Sequence, residues 1–154
     1  MVYRICKSFE VESGHMLSKH PGACRYPHGH SRRIDVVVAS PELDANQMVC
    51  DFSALKWAIK AVADRFDHAM AMNSTDPLLP QLAAVRERVV VFENQDPTTE
   101  VLARHIFDAL CDAVKAGREF RDDAGRALRL PPHLVIERVR VGETSSSWAE
   151  YGRD

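Results

Sequence analysis

The chain has 154 residues, 45% of them apolar and 27% charged, the make-up of one domain (1–154) with a buried core. A formal net charge of -2 leaves no basic footprint for nucleic acid. No apolar run reaches bilayer length and the opening MVYRICKSFEVE lacks the apolar centre of a signal peptide, so the expectation is a cytoplasmic protein without a membrane partner.

Residues 2–13 and 32–39 (RRIDVVVA) read as two strands, the second ending in a turn at Ser40-Pro41. From Asp51 the period becomes helical through Phe52, Leu55, Ile59, Val62 and Phe66, with Asp51 or Ser53 as N-cap. Residues 73–88 are either a loop or a short extra helix, and 89–93 (VVVFE) form a buried strand. Asp96-Pro97-Thr98-Thr99-Glu100 opens a second helix whose apolar stripe runs from Val101 to Val114 and stops near Gly117. A polar loop then leads to a last strand at 134–141 (LVIERVRV). The order ββαβαβ predicts an α+β layer, with two helices on one face of an antiparallel sheet. The open edges of so small a sheet favour a homo-oligomer.

The densest chemistry lies in Cys24-Arg-Tyr-Pro-His28-Gly-His30. Side chains alternate along a strand, so the two histidines face one way and can share a metal ion, with Zn²⁺ the best match for imidazole. The same pattern also occurs as plain surface histidines. His15 is the nearest third ligand, and three histidines with an open position make a catalytic site. Were Cys24 the fourth ligand, the zinc would be a closed folding staple. Cys6, Cys50 and Cys111 sit in apolar or amphipathic runs and read as small buried hydrophobes. Asp67-His68 after the first helix is a candidate acid–base unit. Glu143-Thr144 ends the last strand, either to accept two N–H bonds from a flat heterocycle or as a solvated strand end. Asp51 reads as a cap, His105 as a structural or surface residue, His20 and His133 as loop residues, and Trp57 and Trp148 as packing.

Six segments in order give the chain its resemblance to the 6-pyruvoyl-tetrahydropterin synthase family. They are Phe9-Glu-Val-Glu-Ser-Gly-His15, His28-Gly-His30, Met48-Val-Cys-Asp-Phe52 with Leu55-Lys56, Phe66-Asp-His68 with Asn73, Pro97-Thr-Thr-Glu100, and Val141-Gly-Glu-Thr144. The resemblance implies the tunnelling (T) fold, with subunits joining sheets into a barrel and active sites between subunits. It implies catalytic zinc on His15, His28 and His30, with Cys24 as the proton-abstracting base and Asp67 and His68 as relay. It also implies that Glu143, with Thr98, Thr99 and the adjoining Thr144, anchors a pterin ring. The three-residue gap between Cys24 and His28 is similar to that of bacterial 6-carboxytetrahydropterin synthases of queuosine biosynthesis. The implied reaction takes 7,8-dihydroneopterin triphosphate and releases triphosphate and acetaldehyde; a pyruvoyl-forming synthase and a non-catalytic oligomer with structural zinc are the alternatives. Lys19, Arg32 and Arg33 are assigned to the triphosphate on charge alone. The chain departs from the family at Gln47, where glycine is common, and in longer segments at 73–97 and 117–133.

Overall fold

Period-two alternation builds the centre of the sheet. In the computed structural model, which describes all residues from Met1 to Asp154, the first strand (β1, Tyr3–His15) pairs antiparallel with the second (β2, His28–Ser40) over their full lengths, from Tyr3↔Ser40 to His15↔His28. Odd positions of β1 and even positions of β2 share one face, and Val11, Ile34, Val36 and Val38 on it are buried. The first helix (α1, Phe52–Ala63) and the second (α2, Thr99–Lys115) cover that face through Leu55, Ile59, Ile106 and Leu110. Asp51 is the N-cap of α1, its carboxylate accepting from the Ser53 N–H at 2.7 Å.

Between the helices lie two short strands, β3 (Ala69–Asn73) and β4 (Val89–Phe92). After α2 come a hairpin, β5 (Glu119–Arg121) and β6 (Ala127–Arg129), and then the last pair, β7 (Val135–Gly142) and β8 (Trp148–Gly152). The main sheet has six strands in the order β4-β3-β1-β2-β7-β8. The ββαβαβ frame therefore stands, with four further strands added, and the sheet is not wholly antiparallel: β3 runs parallel to β1, and β4 to β3. The reason is positional. β2 ends beside Tyr3, α1 carries the chain back along the sheet, and β3 starts beside Ser13 in the direction of β1. Residues Leu79–Arg88, read as loop or helix, form kinked 3₁₀ turns. The polar loop of 117–133 contains the β5–β6 hairpin, which seats Phe120 in the core.

The other sheet face carries no helix and is polar. Ser8 donates to Asp35 at 2.5 Å, Arg33 donates to Asp35 at 2.9 Å, and Arg140 pairs with Glu150 at 2.9 Å. Cys6 lies exposed on this face, so its reading as a buried hydrophobe is corrected: it occupies an even position of β1. Cys50 is buried, which pushes its thiol up to about 11, and Cys111 is half-buried. No helix is long and apolar enough to cross a membrane.

Candidate metal centre

The β1–β2 register brings three histidines together at one end of the ladder. His15 faces His28 directly and Ser13 faces His30, so all three imidazoles lie on the helix-covered side. The ring centroid of His15 is 4.5 Å from that of His28 and 5.1 Å from that of His30. His15 Nδ1 bonds the Pro97 carbonyl at 2.8 Å, and His28 Nδ1 bonds the Tyr26 carbonyl at 2.8 Å. Such bonds fix the proton on Nδ1 and leave the Nε2 lone pair free for a metal.

Glu143 supplies a fourth donor. Its Oε1 lies 3.2 Å from His30 Nε2 and 3.7 Å from His15 Nε2, and the two Nε2 atoms are 3.2 Å apart. One donor atom from each of the four residues falls within 4.8 Å of all the others. A tetrahedral ion with bonds of roughly 2.0–2.1 Å has ligand–ligand edges of about 3.4 Å, close to these spacings. His28 Nε2 is buried without a hydrogen-bond partner, an orphan that a metal would satisfy. Burial pushes His15 down to about 4 and lowers His30 too, which keeps both rings in the neutral form that binds metal. Three imidazoles and a carboxylate suit zinc among the common divalent ions.

Around the cluster the chain is braced. Asp96, buried before α2, accepts from Ser18 Oγ at 2.6 Å, the Lys19 N–H at 2.7 Å and Asn73 Nδ2 at 2.9 Å. This holds Pro97, and so the carbonyl that orients His15. Thr98 caps α2, its hydroxyl accepting from the Val101 N–H at 3.3 Å, while Thr99 donates to Glu143 Oε2. Arg32, 1% exposed, donates from Nη1 to the same oxygen at 2.8 Å. Burial pushes the Glu143 carboxyl up, but the hydrogen bond and charge of Arg32 outweigh it and hold Glu143 ionised. His15, Thr98, Thr99 and Glu143 line a cavity of about 350 Å³ beside the cluster.

The sequence profile described as 6-pyruvoyl tetrahydropterin synthase matches residues 4–154. The chain belongs to that family. It is 29% identical over 170 residues to the 6-carboxy-5,6,7,8-tetrahydropterin synthase of Aquifex aeolicus, covering 98% of each chain. It is 34% identical over 116 residues to the probable enzyme of the same name from Halobacterium salinarum, covering 71% of this chain and 73% of that one. An uncharacterized protein of Wolinella succinogenes shares the fold with a TM-score of 0.76 at 22% identity, covering 100% of this chain and 99% of the other. The 6-pyruvoyl tetrahydropterin synthase of Caenorhabditis elegans does so with a TM-score of 0.66 at 19% identity, covering 100% and 97%. The α+β architecture is the T-fold of these structural neighbours.

Within this family frame, the other expected residues divide. Cys24 is half-buried on a 3₁₀ turn, Ala23–Arg25, whose Cys24 carbonyl accepts from the Leu17 N–H at 3.0 Å, and its thiol is not among the four donors. Asp67 and His68 are not among the four donors. Asp67 accepts from the Glu12 N–H at 2.9 Å, a bond that lowers its carboxyl first of all, and pairs with His68 Nδ1 at 3.0 Å. His68 has φ 53°, a left-handed conformation rare outside glycine, and its side chain is 74% exposed. It borders a cleft of about 700 Å³ between Leu79–Arg88 and the sheet, which His28 and His30 of the cluster also line. Thr144 turns into the β7–β8 turn, its hydroxyl 2.7 Å from that of Ser147.

Two of the triphosphate assignments need correction. Arg32 is buried against Glu143 and Thr99, because even positions of β2 face inward. Arg33 points to the opposite face and is held by Asp35 and Ser8. Lys19 contributes its backbone N–H to Asp96. His105 packs edge-on between Phe66 and Phe92, as a structural residue should. Trp148 is exposed and stacks on Arg140, 3.7 Å from guanidinium carbon to ring centroid, rather than packing in the core. Sequence reasoning missed Asp96 as a member of the site and gave Arg32 the wrong partner. The signal for Arg32 was present, since a strand that runs His28-x-His30-x-Arg32-x-Ile34 puts a cation on the face of the histidines.

Proposed function

We propose that this chain is a zinc-dependent carbon–carbon lyase that converts 7,8-dihydroneopterin triphosphate and one water to 6-carboxy-5,6,7,8-tetrahydropterin, with release of acetaldehyde and triphosphate. The setting would be queuosine (7-deazapurine) biosynthesis in the cytoplasm. The observation that carries the reading is the four-donor cluster of His15, His28, His30 and Glu143 beside a cavity lined by Thr98 and Thr99. Support also comes from the name of the Aquifex aeolicus relative, which the chain matches over nearly its full length.

In this reading His15, His28 and His30 hold the metal, which when bound supplies a Lewis acid for the substrate's side-chain hydroxyls. Glu143, held ionised by Arg32, offers its free oxygen to a ring N–H, and Thr98 and Thr99 shape the wall on which the ring lies, with Thr144 at the rim. Cys24 takes the proton from the side chain, and the Asp67–His68 pair passes protons onward. The working form in this reading is a homo-oligomer with sites at subunit boundaries, as the family resemblance implies, and the exposure of the Asp67–His68 pair is compatible with its serving such a boundary.

A pyruvoyl-forming reaction is the second reading, favoured by the description of the matching family profile. Incubating the zinc-loaded protein with 7,8-dihydroneopterin triphosphate, with mass spectrometry of the pterin and an acetaldehyde assay, decides between them. Carboxytetrahydropterin with an equivalent of acetaldehyde is expected; a pyruvoyl product without acetaldehyde selects the second reading, and no turnover removes both. The third reading, a structural zinc closed by Cys24, is weakened by the carboxylate that stands as fourth donor. Cys24→Ala separates it: the catalytic reading expects full zinc content with turnover lost, the staple expects zinc and fold lost together.

A further inference from the structure

Arg32 is a buried cation beside a cluster of metal donors, which needs a physical reason. Removing a guanidinium from water costs several kcal/mol unless an anion and hydrogen bonds compensate. Arg32 is 1% exposed, and its Nε is buried with no partner. Nη1 shares its two N–H groups among three acceptors, Glu143 Oε2 at 2.8 Å, Thr99 Oγ1 at 2.9 Å and the Gly142 carbonyl at 3.1 Å. Nη2 lies 3.3 Å from both ring nitrogens of His15. A divalent ion on the histidines would therefore sit close to a fixed positive charge, and Glu143 is the one carboxylate in the cluster.

The hydrogen-bond capacity of Glu143 is divided unequally. Oε2 accepts from both Arg32 and Thr99, which fills it. Oε1 points at His15 and His30, 3.7 and 3.2 Å from their Nε2 atoms. We infer that Arg32 is a positioning residue: it pins Oε2 so that, before substrate arrives, Oε1 is the fourth protein donor to the metal. This rests on the metal-binding reading of the histidines given above. Its consequence is an exchange at the site, since the single free oxygen of Glu143 serves either the metal or a ring N–H. Binding of a flat N–H-bearing ring would draw Oε1 away and open one metal position to the substrate's hydroxyls.

A crystal structure of the zinc-loaded wild-type chain without substrate tests the arrangement. Expected is Oε1 at bonding distance from zinc, roughly 2.0–2.2 Å, with Arg32 still on Oε2. Water in the fourth position, with Glu143 turned away, overturns the inference and leaves the proposed function standing. Histidines that take up no zinc overturn the proposed function itself. Cobalt(II) titration then tests Arg32. Folded Arg32→Met should bind cobalt about tenfold more weakly, with a visible spectrum altered by loss of a protein donor. Wild-type affinity and spectrum in that variant overturn the role of Arg32. Should Arg32→Met not fold, Glu143→Gln, nearly isosteric and part-exposed, is read by the same two criteria.

Discussion

At the scale of residues, the cluster depends on groups that never touch the metal position. His15 is aimed by the Pro97 carbonyl, and Pro97 is held by its neighbour Asp96 with three donors. Asp96→Ala is therefore expected to weaken zinc binding about tenfold and to cost about 1–3 kcal/mol of stability, read by metal titration and chemical denaturation. Unchanged zinc affinity in a folded Asp96→Ala protein would sever Asp96 from the site. His15 also makes the metal-free protein acid-sensitive. Burial holds it near 4 in the fold against about 6.5 in the unfolded chain, so across that window the unfolded state binds more protons. Stability should fall as pH drops from 6.5 toward 4, by up to about 3 kcal/mol from this group. Melting curves of the stripped protein from pH 7 to 4 read this directly, and a flat profile contradicts it. His28 and His30 were legible in the sequence because their types and spacing advertise chemistry, whereas His15 and Glu143 gained their weight from the family resemblance, and Glu143 was expected against a ring rather than among metal donors. Arg32 was misassigned because charge was weighed without its register, and Asp96 was taken only as part of a helix start.

At the scale of elements, local signals worked wherever a segment carries its own instructions. α2 ends as its sequence predicts. Gly117 has φ 57°, the Gly117 N–H bonds the Val114 carbonyl at 3.1 Å, and the Arg118 N–H bonds that of Ala113 at 3.0 Å, a Schellman closure. A side chain at Gly117 would meet nothing within 4 Å, so Gly117→Ala should cost only the backbone strain of a left-handed alanine, about 1 kcal/mol in a thermal or urea melt. Gln47 shows the reverse. It has φ 62° in the turn before α1, so the glycine that is common there in the family has a physical basis in this chain's backbone. Gln47→Gly should stabilise the protein by up to about 1 kcal/mol, and a clear loss of stability would contradict that. Strands β3, β5, β6 and β8 went unread because they are three to five residues long and lack the valine run that marks the equally short β4. Pairing in such pieces is decided by the neighbour they meet, not by their own pattern.

At the scale of the whole molecule, the donor cluster and the Asp67–His68 pair differ in their exposure. The histidine cluster, Glu143 and the two threonines share the helix-covered side, while Asp67 and His68 face solvent. The sheet also leaves β4 and β8 as open edges. Sedimentation should show a homo-oligomer, and co-refolding Cys24→Ala with His68→Ala should restore activity well above that of either parent. Parents that are monomeric, or mixtures no better than the parents, would contradict shared sites. The expectation of a homo-oligomer came from the open edges of the sheet and that of shared sites from the family resemblance, because nothing in one chain's periodicity says which neighbour completes it. The central claim, that the reaction depends on one metal ion held by the histidine cluster, is tested most directly by adding zinc to stripped protein while following acetaldehyde release from 7,8-dihydroneopterin triphosphate. The rate should rise in proportion to bound zinc and level off at about one ion per chain. A rate independent of zinc, or zinc bound without any turnover, would contradict it.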